Sequence, residues 1–336
     1  MAANRRSRLV VIGGSAGAIE ALRTLAPDLP EHFSAPICVV LHTAPDSPGL
    51  LPSILARSGT LPAEHATSGV RMQPGRYYVA PPDHHLIVEP GALQLTKGPR
   101  ENRFRPAIDP LFRSAAQTYG PAVVGVLLSG GLDDGTAGLH SIKRLGGAAV
   151  IQDPREALFS SMPANAARHV AIDYCVPIAE MGSLLTQLAD SPLPGVAHPE
   201  TPPALEVEVD ISKERNPIEA GIQQLGAPSS IACPECHGVL LQVVDEGLLR
   251  FRCHTGHAYS VETLIAAISE GIEATLWQGV RSLEEAQILL KQMAEHVSRH
   301  DEAAKRDLMA RSKAAGTDAE AVRRIALDRE ALKATL

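Results

Sequence analysis

Ser15 is the residue whose surroundings point most directly to chemistry. It follows four apolar residues, Leu9–Ile12, and two glycines, and a helix-like segment begins at Ala18. A serine on a tight turn from a strand into a helix is exposed as a nucleophile, beside backbone N–H groups that stabilise an oxyanion. Phosphate binding and a purely structural turn remain alternatives. A dinucleotide-binding turn is disfavoured, because its fingerprint requires glycine where this chain has Ser15 and Ala18.

A serine nucleophile needs a general base and a group that orients the base. His42 directly follows one apolar strand candidate, and Asp133 and Asp134 follow shortly after another. The carboxyl ends of parallel strands share one edge of a sheet, so these side chains and Ser15 are expected to converge there. Taken singly, each has a structural interpretation: a hydrogen-bonded histidine at a strand end, or aspartates that cap a helix. Their coincidence favours a Ser-His-Asp triad and leaves the choice of aspartate open.

A second cluster has the spacing of metal ligands. Cys233, Cys236, Cys253 and His257 follow the pattern C-x2-C-x16-C-x3-H, which is typical of a tetrahedral zinc site. His254 is a poorer fourth ligand, because it directly follows Cys253. Four protein ligands leave no open position, so we expect a structural Zn²⁺ and no cofactor for catalysis. We also expect the active site to be built without this metal.

The elements that must position these residues alternate between strand and helix. Apolar runs predict strands at Leu9–Ile12, Ile37–Leu41, Tyr77–Ala80, Leu86–Val88, Leu93–Leu95, Val123–Leu128, Ala148–Ile151 and Tyr174–Val176. Amphipathic patterns predict helices at Ala18–Ala26, Leu50–Arg57, Pro110–Tyr119, Thr136–Leu145 and Met181–Ala189. The alternation predicts an α/β fold with a doubly wound, mainly parallel sheet. The strands between Tyr77 and Leu95 are expected to form an antiparallel excursion, and Cys38 and Cys175 to be core residues.

The C-terminal part has a different organisation. We predict a catalytic domain over 8–190, a proline-rich linker with a short strand (Leu205–Ile211) over 191–230, a zinc-ribbon-like unit with a hairpin over 231–259, and a helical arm over 260–336. The arm is predicted as a long helical hairpin: one helix over Val261–Arg311 and a second from Asp318, after a capping box at Thr317. Its apolar stripe packs either against the second helix of the arm or against a partner, which includes a second copy in a homodimer, and the pattern leaves both open.

Composition excludes several classes of protein. The 336 residues carry a net charge of −7 and only 3% aromatic residues, which disfavours a nucleic-acid partner. No stretch of about 18 apolar residues is present, so no membrane insertion is expected. Five cysteines, three of them clustered, disfavour a disulfide framework and indicate a cytoplasmic location.

Five motifs in order resemble the catalytic domain of bacterial chemotaxis protein-glutamate methylesterases. The resemblance covers roughly residues 8–188 and rests on the segments Val11–Gly17, His42 after its strand, Tyr78–His85, Arg105–Asp109 and Leu127–Gly135. It implies that Ser15 is the nucleophile, His42 the base and Asp134, rather than Asp133, the orienting acid. It also implies an oxyanion hole formed by the backbone N–H groups of Ala16 and Gly131.

The resemblance further implies hydrolysis of γ-glutamyl methyl esters on chemoreceptors or similar signalling proteins, with deamidation of glutamines in some members. This chain departs from the family at Thr43–Asp46, where a Met-Pro pair is common, and about seven residues precede the first strand. We therefore expect a stand-alone form without a receiver domain and with a zinc-binding tail. The alternative is a non-catalytic regulatory or scaffold protein that uses the fold and tail to bind a partner.

Overall fold

Seven parallel strands form the central sheet, as the alternation of strand and helix patterns predicts. In the computed structural model, which describes residues 8–193, 198–297 and 301–328, every pairing between neighbouring strands of this sheet is parallel. From edge to edge the order is β3 (Ala63–His65), β4 (Tyr77–Val79), β2 (Ile37–Leu41), β1 (Leu9–Gly14), β7 (Val123–Leu127), β8 (Ala148–Gln152) and β9 (Tyr174–Val176). The strand order reverses at β1, and α/β sheets bind ligands at such a point.

Helices cover both faces of the sheet. Along β1, Val10 and Ile12 face one apolar core, whereas Leu9 and Val11 face the other. The first core is completed by α1 (Ala18–Leu25), α2 (Leu51–Ser58) and α6 (Ile178–Asp190). The second contains α3 (Ile108–Tyr119), α4 (Thr136–Arg144) and α5 (Ser161–His169). The predicted doubly wound α/β fold is thereby confirmed.

The region from Tyr77 to Leu95 differs from the prediction in one respect. β4 pairs in parallel with β2 and belongs to the main sheet. Only β5 (His85–Glu89) and β6 (Ala92–Thr96) form a separate antiparallel hairpin. Strand β3 and helix α5 were not predicted, because their sequences are short and carry polar residues without a clear period.

The two cysteines outside the metal cluster lie in different environments. Cys38 is buried in β2, as expected for a core residue. Cys175 is exposed, so the prediction that it lies in the core is wrong. The physical reason is the position of β9, which lies at the edge of the sheet and has one neighbouring strand among the described residues.

The proline-rich segment contains a helix where a strand was predicted. α7 spans Pro203–Ser212 and begins with prolines, which suit the first turn of a helix. Its apolar residues alternate with acidic residues, and this pattern predicts a half-buried strand. The prediction is wrong: such a strand would expose all its acidic residues, whereas Glu208 is buried on the helix together with Leu205 and Val209. After α7 the chain forms a four-stranded antiparallel sheet, β10 (Ala227–Ala232), β11 (Val239–Asp245), β12 (Leu248–Cys253) and β13 (Ala258–Ser260).

A buried cluster of charges joins this small sheet to the α/β part. Glu208 accepts hydrogen bonds from Arg250 at 2.6 Å and Arg252 at 3.2 Å. Glu101 pairs with Arg252 at 3.0 Å and also with Arg113 of α3. Burial opposes the ionisation of Glu208, but the three neighbouring arginines outweigh it and hold the pKa of this carboxyl below its usual range. The described residues from 8 to 263, including the sheet β10–β13, accordingly form one compact unit.

Replacing Glu208 by glutamine is expected to lower the free energy of unfolding by about 3 kcal/mol, because the arginines would keep buried charges without their partner. Urea denaturation followed by circular dichroism measures this effect. Glu206→Gln is the matched control, since Glu206 is exposed on the same helix. Equal stability of the two variants would contradict a stabilising role for the cluster.

The described residues between 264 and 328 form a second unit that contains two long helices. α8 spans Val261–His296 and α9 spans Glu302–Leu327. The predicted break near residue 315 is wrong, as is the capping box: Thr317 lies inside α9, where its hydroxyl donates to the carbonyl of Lys313. The two helices contact each other, for example through the Ser312 hydroxyl and the carbonyl of Gln287 at 2.9 Å. Among the described helices, none combines the length and apolar character needed to cross a membrane.

Candidate active site

Ser15 lies on the turn between β1 and α1, at the predicted edge of the sheet. Its backbone N–H donates to the carbonyl of Ser129 at 3.0 Å, so the loop after β7 holds this turn. Gly17 begins α1 with a φ of 79°, a conformation that favours glycine. A Cβ at Gly17 would lie 2.6 Å from the Ser129 hydroxyl oxygen, so the loops approach too closely for a side chain there.

His42 lies between Ser15 and Asp134. Its Nδ1 is 3.2 Å from the Ser15 hydroxyl oxygen, and its Nε2 is 2.7 Å from Oδ2 of Asp134. The use of the two ring nitrogens is the reverse of that in chymotrypsin-type triads, in which Nε2 faces the serine. The ring of Phe104 stacks on the imidazole, with centroids 3.6 Å apart and planes 6° from parallel. These contacts fix both the plane and the rotation of the ring.

Asp134 is buried and fully engaged by donors. Besides His42, it accepts hydrogen bonds from the backbone of Ile108 at 2.8 Å and from the side-chain amide of Asn102 at 2.8 Å. Burial opposes ionisation, but these hydrogen bonds hold the pKa of Asp134 below its ordinary value. Asp134 is therefore a carboxylate, which can accept the Nε2–H of His42 and stabilise the ring when it is protonated.

Asp133 has a different environment. Its Oδ1 accepts a hydrogen bond from the hydroxyl of Ser260 at 2.5 Å, and burial raises its pKa to about 7. The structure thus brings Asp134, and not Asp133, to His42.

The two backbone amides implied for the oxyanion hole belong to Ala16, which follows Ser15, and to Gly131, in the loop after β7. In the described part of the chain, neither the Ala16 nor the Gly131 N–H donates to a protein acceptor, whereas the Gly130 N–H donates to the carbonyl of Phe159. A Cβ at Gly130 would lie 3.0 Å from that of Ser15, so this loop lies directly against the serine. Ala16 lines the cleft beside Ser15, and Gly131 does not.

The cleft that contains Ser15 has a volume of about 690 Å³. Arg100, Arg103 and Arg105 line it, and Glu20 is its acidic lining residue. Arg105 is paired with Asp83 at 2.7 Å. The cleft thus has a basic lining although the whole chain has a net charge of −7.

The four predicted metal ligands also come together. The ligand atoms of Cys233, Cys236, Cys253 and His257 all lie within 4.8 Å of one another. Sγ of Cys236 is 3.5 Å from Sγ of Cys253, and Nδ1 of His257 is 3.7 Å from Sγ of Cys233. A tetrahedron with Zn–S distances of about 2.3 Å has edges of about 3.8 Å. The donor set and its spacing therefore fit Zn²⁺.

Sequence reasoning missed three residues that contact the triad: Phe104, Asn102 and Asp109. The segment Arg105–Asp109 was singled out, but Asp109 was given no role. It lies beside Asp134, and burial together with that neighbouring carboxylate raises its pKa to about 7. Asn102 and Phe104 lie in an irregular loop, where no periodic pattern marks a side chain as buried.

The part of the chain that contains this cleft is similar to known proteins. The family profile described as CheB methylesterase matches residues 10–185. A Leptospira interrogans relative, named as a protein-glutamate methylesterase/protein-glutamine glutaminase, is 37% identical over 180 residues, which are 53% of this chain and 93% of the relative. The protein-glutamate methylesterase FrzG of Myxococcus xanthus is 34% identical over 183 residues, 54% of this chain and 55% of FrzG.

The crystal structure of the Thermotoga maritima CheB methylesterase catalytic domain has a TM-score of 0.52 and 32% identity to this chain. The similarity covers 54% of this chain and 98% of that domain. The profile match, which takes in just over half of the chain, contains Ser15, His42 and Asp134. The chain therefore belongs to the CheB methylesterase family and is a carboxylic-ester hydrolase.

Proposed function

We propose that this protein hydrolyses γ-glutamyl methyl esters on a chemoreceptor or a similar signalling protein, with Ser15, His42 and Asp134 as its catalytic triad. The observation that carries the proposal is the continuous contact from the Ser15 hydroxyl through both ring nitrogens of His42 to the Asp134 carboxylate. Release of methanol from a methylated receptor tests it directly. No methanol from any methylated receptor, with an intact fold, would contradict it.

The contacts support a two-step mechanism. Nδ1 of His42 takes the proton of Ser15 as the serine oxygen attacks the ester carbonyl, and Asp134 holds the Nε2–H and stabilises the imidazolium. The carbonyl oxygen becomes an oxyanion, to which the amides of Ala16 and Gly131 donate. The imidazolium then protonates the departing methoxide, and methanol leaves. Water, deprotonated by the same nitrogen, attacks the acyl-enzyme and releases the glutamate carboxyl and the serine. A glutamine substrate would release ammonia instead of methanol.

The lining of the cleft supports an acidic substrate. The arginines surround a serine whose substrate is a neutral ester, so their charge acts on groups beside the ester. A receptor segment rich in unmethylated glutamates has the complementary charge.

Arg100→Gln is expected to raise KM for a methylated receptor about three- to tenfold and to leave kcat within about twofold, because Arg100 lines the cleft but makes none of the triad contacts. The increase in KM should shrink at high ionic strength, as screening weakens the same attraction in the wild-type protein. Arg57→Gln, at an exposed arginine on α2, is the matched control. An unchanged KM with Arg100→Gln would remove this residue from substrate binding.

The cysteine-rich segment is part of the same proposal. Cys233, Cys236, Cys253 and His257 would hold one structural Zn²⁺ with no open position, as the separations of their donor atoms support. Such a metal supplies folding energy and no step of the hydrolysis. The hydroxyl of Thr255, 2.9 Å from Sγ of Cys253, is placed to donate to the thiolate.

A further inference from the structure

Asn102 occupies a buried position between two carboxylates. Its side-chain nitrogen donates to Oδ1 of Asp134 at 2.8 Å and to Oδ2 of Asp109 at 3.0 Å. Only 3% of the residue is exposed. Both amide hydrogens are therefore used to neutralise part of the negative potential of a carboxylate pair, one member of which contacts His42.

The orientation of this amide depends on the C-terminal segment. An asparagine amide has nearly the same shape after a 180° flip, so its donors and acceptors decide which way it faces. The Asn102 oxygen accepts from the backbone N–H of Ser260 at 2.9 Å and from the hydroxyl of Thr263 at 3.1 Å. These donors hold the oxygen away from the carboxylates and keep the nitrogen directed at Asp134.

The backbone of the same loop is paired with the C-terminal segment. The Asn102 N–H donates to the carbonyl of Ala258 in β13 at 2.8 Å, and the Ala258 N–H donates to the carbonyl of Arg100 at 3.3 Å. Asn102 and Arg103 have φ values of 50° and 76°, which are uncommon for residues with a side chain. Such a conformation persists where surrounding contacts enforce it. Phe104, which stacks on His42, belongs to this loop.

We propose that Asn102 is a positioning residue through which residues 258–263 hold Asp134, and thereby His42, in the geometry needed for catalysis. This inference rests on the proposed catalytic role of Asp134. It gives the C-terminal segment a part in the esterase reaction, and it replaces our expectation that the active site is built without the metal unit.

Two of the four predicted metal ligands lie at the two ends of the turn that leads into β13. Cys253 ends β12 and His257 directly precedes β13. The Cys253 N–H also donates to the carbonyl of His257 at 3.0 Å. A metal bound by these two residues would fix the start of the strand that pairs with the Asn102 loop. Loss of the metal should therefore weaken the hold on Asp134.

Thr263→Val tests the inference in the full chain without altering any residue of the catalytic domain. It removes the hydroxyl that donates to Asn102 and keeps the shape of the side chain. We expect kcat for methanol release to fall about tenfold with KM within about twofold, the size of effect that one lost hydrogen bond in a polar network produces. Thr263→Ser, which restores the hydroxyl, should recover most of the activity. Thr275→Val is the matched control, because Thr275 is an exposed threonine of α8.

A spectroscopic readout separates positioning from general damage. The imidazole proton between His42 Nε2 and Asp134 is expected as a resolved low-field NMR signal, and this signal should weaken or shift in Thr263→Val and in Asn102→Ala. Zinc-depleted protein should show the same change, together with faster amide exchange in residues 100–104. Asn102→Ala should lower kcat more, about 10²-fold, because it removes the donor itself.

Wild-type kcat and an unchanged low-field signal in both Thr263→Val and Asn102→Ala would overturn the inference. Failure of the proposed function looks different: the wild-type protein would then release no methanol, or Ser15→Ala would release it at the wild-type rate. A loss of kcat in Thr263→Val that Thr263→Ser does not restore would also count against the inference, since shape and not the hydroxyl would then be responsible.

Discussion

Ser15→Ala is expected to lower kcat for methanol release by at least about 10³-fold while leaving the fold intact. The reason is chemical: alanine has no oxygen that His42 could activate, and the acyl-enzyme cannot form. Packing should change little, because the turn is held by backbone contacts, including the bond from the Ser15 N–H to Ser129. Stopped assays of methanol release give kcat, and circular dichroism reports the fold.

Matched variants make this result specific. Ser53→Ala, at an exposed serine of α2, should keep the wild-type kcat. An organophosphonate should label the wild-type protein at Ser15 and should not label Ser15→Ala. Retained hydrolysis by Ser15→Ala, with the same substrate and no contaminating esterase, would show that another residue is the nucleophile.

The two aspartates provide an internal comparison within the same experiment. His42→Ala should be about as damaging as Ser15→Ala, and Asp134→Asn somewhat less so, because an asparagine keeps the shape but cannot stabilise the imidazolium. Asp133→Asn is the matched comparison and should lower kcat much less than Asp134→Asn, since Asp133 contacts Ser260 and not His42. A crippled Asp133→Asn beside an active Asp134→Asn would show that the wrong acid has been assigned.

The convergence of Ser15, His42 and Asp134 could be predicted because it depends on the topology of the sheet. Strands β1, β2 and β7 are adjacent and parallel, so the loops that follow them meet at one edge of the sheet. Ser15 and His42 directly follow their strands, and Asp134 lies in the loop after β7. Hydrophobic runs predicted those strands within one or two residues. The choice of Asp134 over Asp133 came only from the family resemblance, because no local sequence pattern distinguishes two neighbouring aspartates at the start of a helix.

The support of the triad could not be predicted, because it depends on contacts between distant segments. Asn102 contacts Ser260 and Thr263, which lie about 160 residues after it in the chain. Its positive φ could not be predicted either, because the only sign of it in the sequence is that asparagine tolerates this conformation. Helix α7 was predicted as a strand for the same reason. Burial of its Glu208 is favourable only because Arg250 and Arg252, from the small antiparallel sheet, form ion pairs with it.

Removal of metal is expected to unfold the cysteine-rich segment, and this effect should be large. The binding energy of zinc in small sites of this kind is largely folding energy, on the order of 10 kcal/mol near neutral pH. Cys236→Ser should therefore lose bound zinc and the β-sheet signal of residues 227–260, as measured by elemental analysis and circular dichroism. The wild-type protein should contain one zinc per chain.

Cys175→Ser is the matched control for this experiment, because Cys175 is an exposed cysteine outside the cluster and should keep full zinc content. Purified protein without zinc, and with the same melting curve before and after a strong chelator, would contradict a structural metal.

The buried arginines add a second expectation. Since Arg252 directly precedes Cys253 and bonds to Glu101, melting of this segment should also destabilise residues 100–104. If chelation melts the cysteine-rich segment and leaves the stability of the esterase half unchanged, the ion pair between Arg252 and Glu101 does not couple metal binding to the stability of residues 100–104.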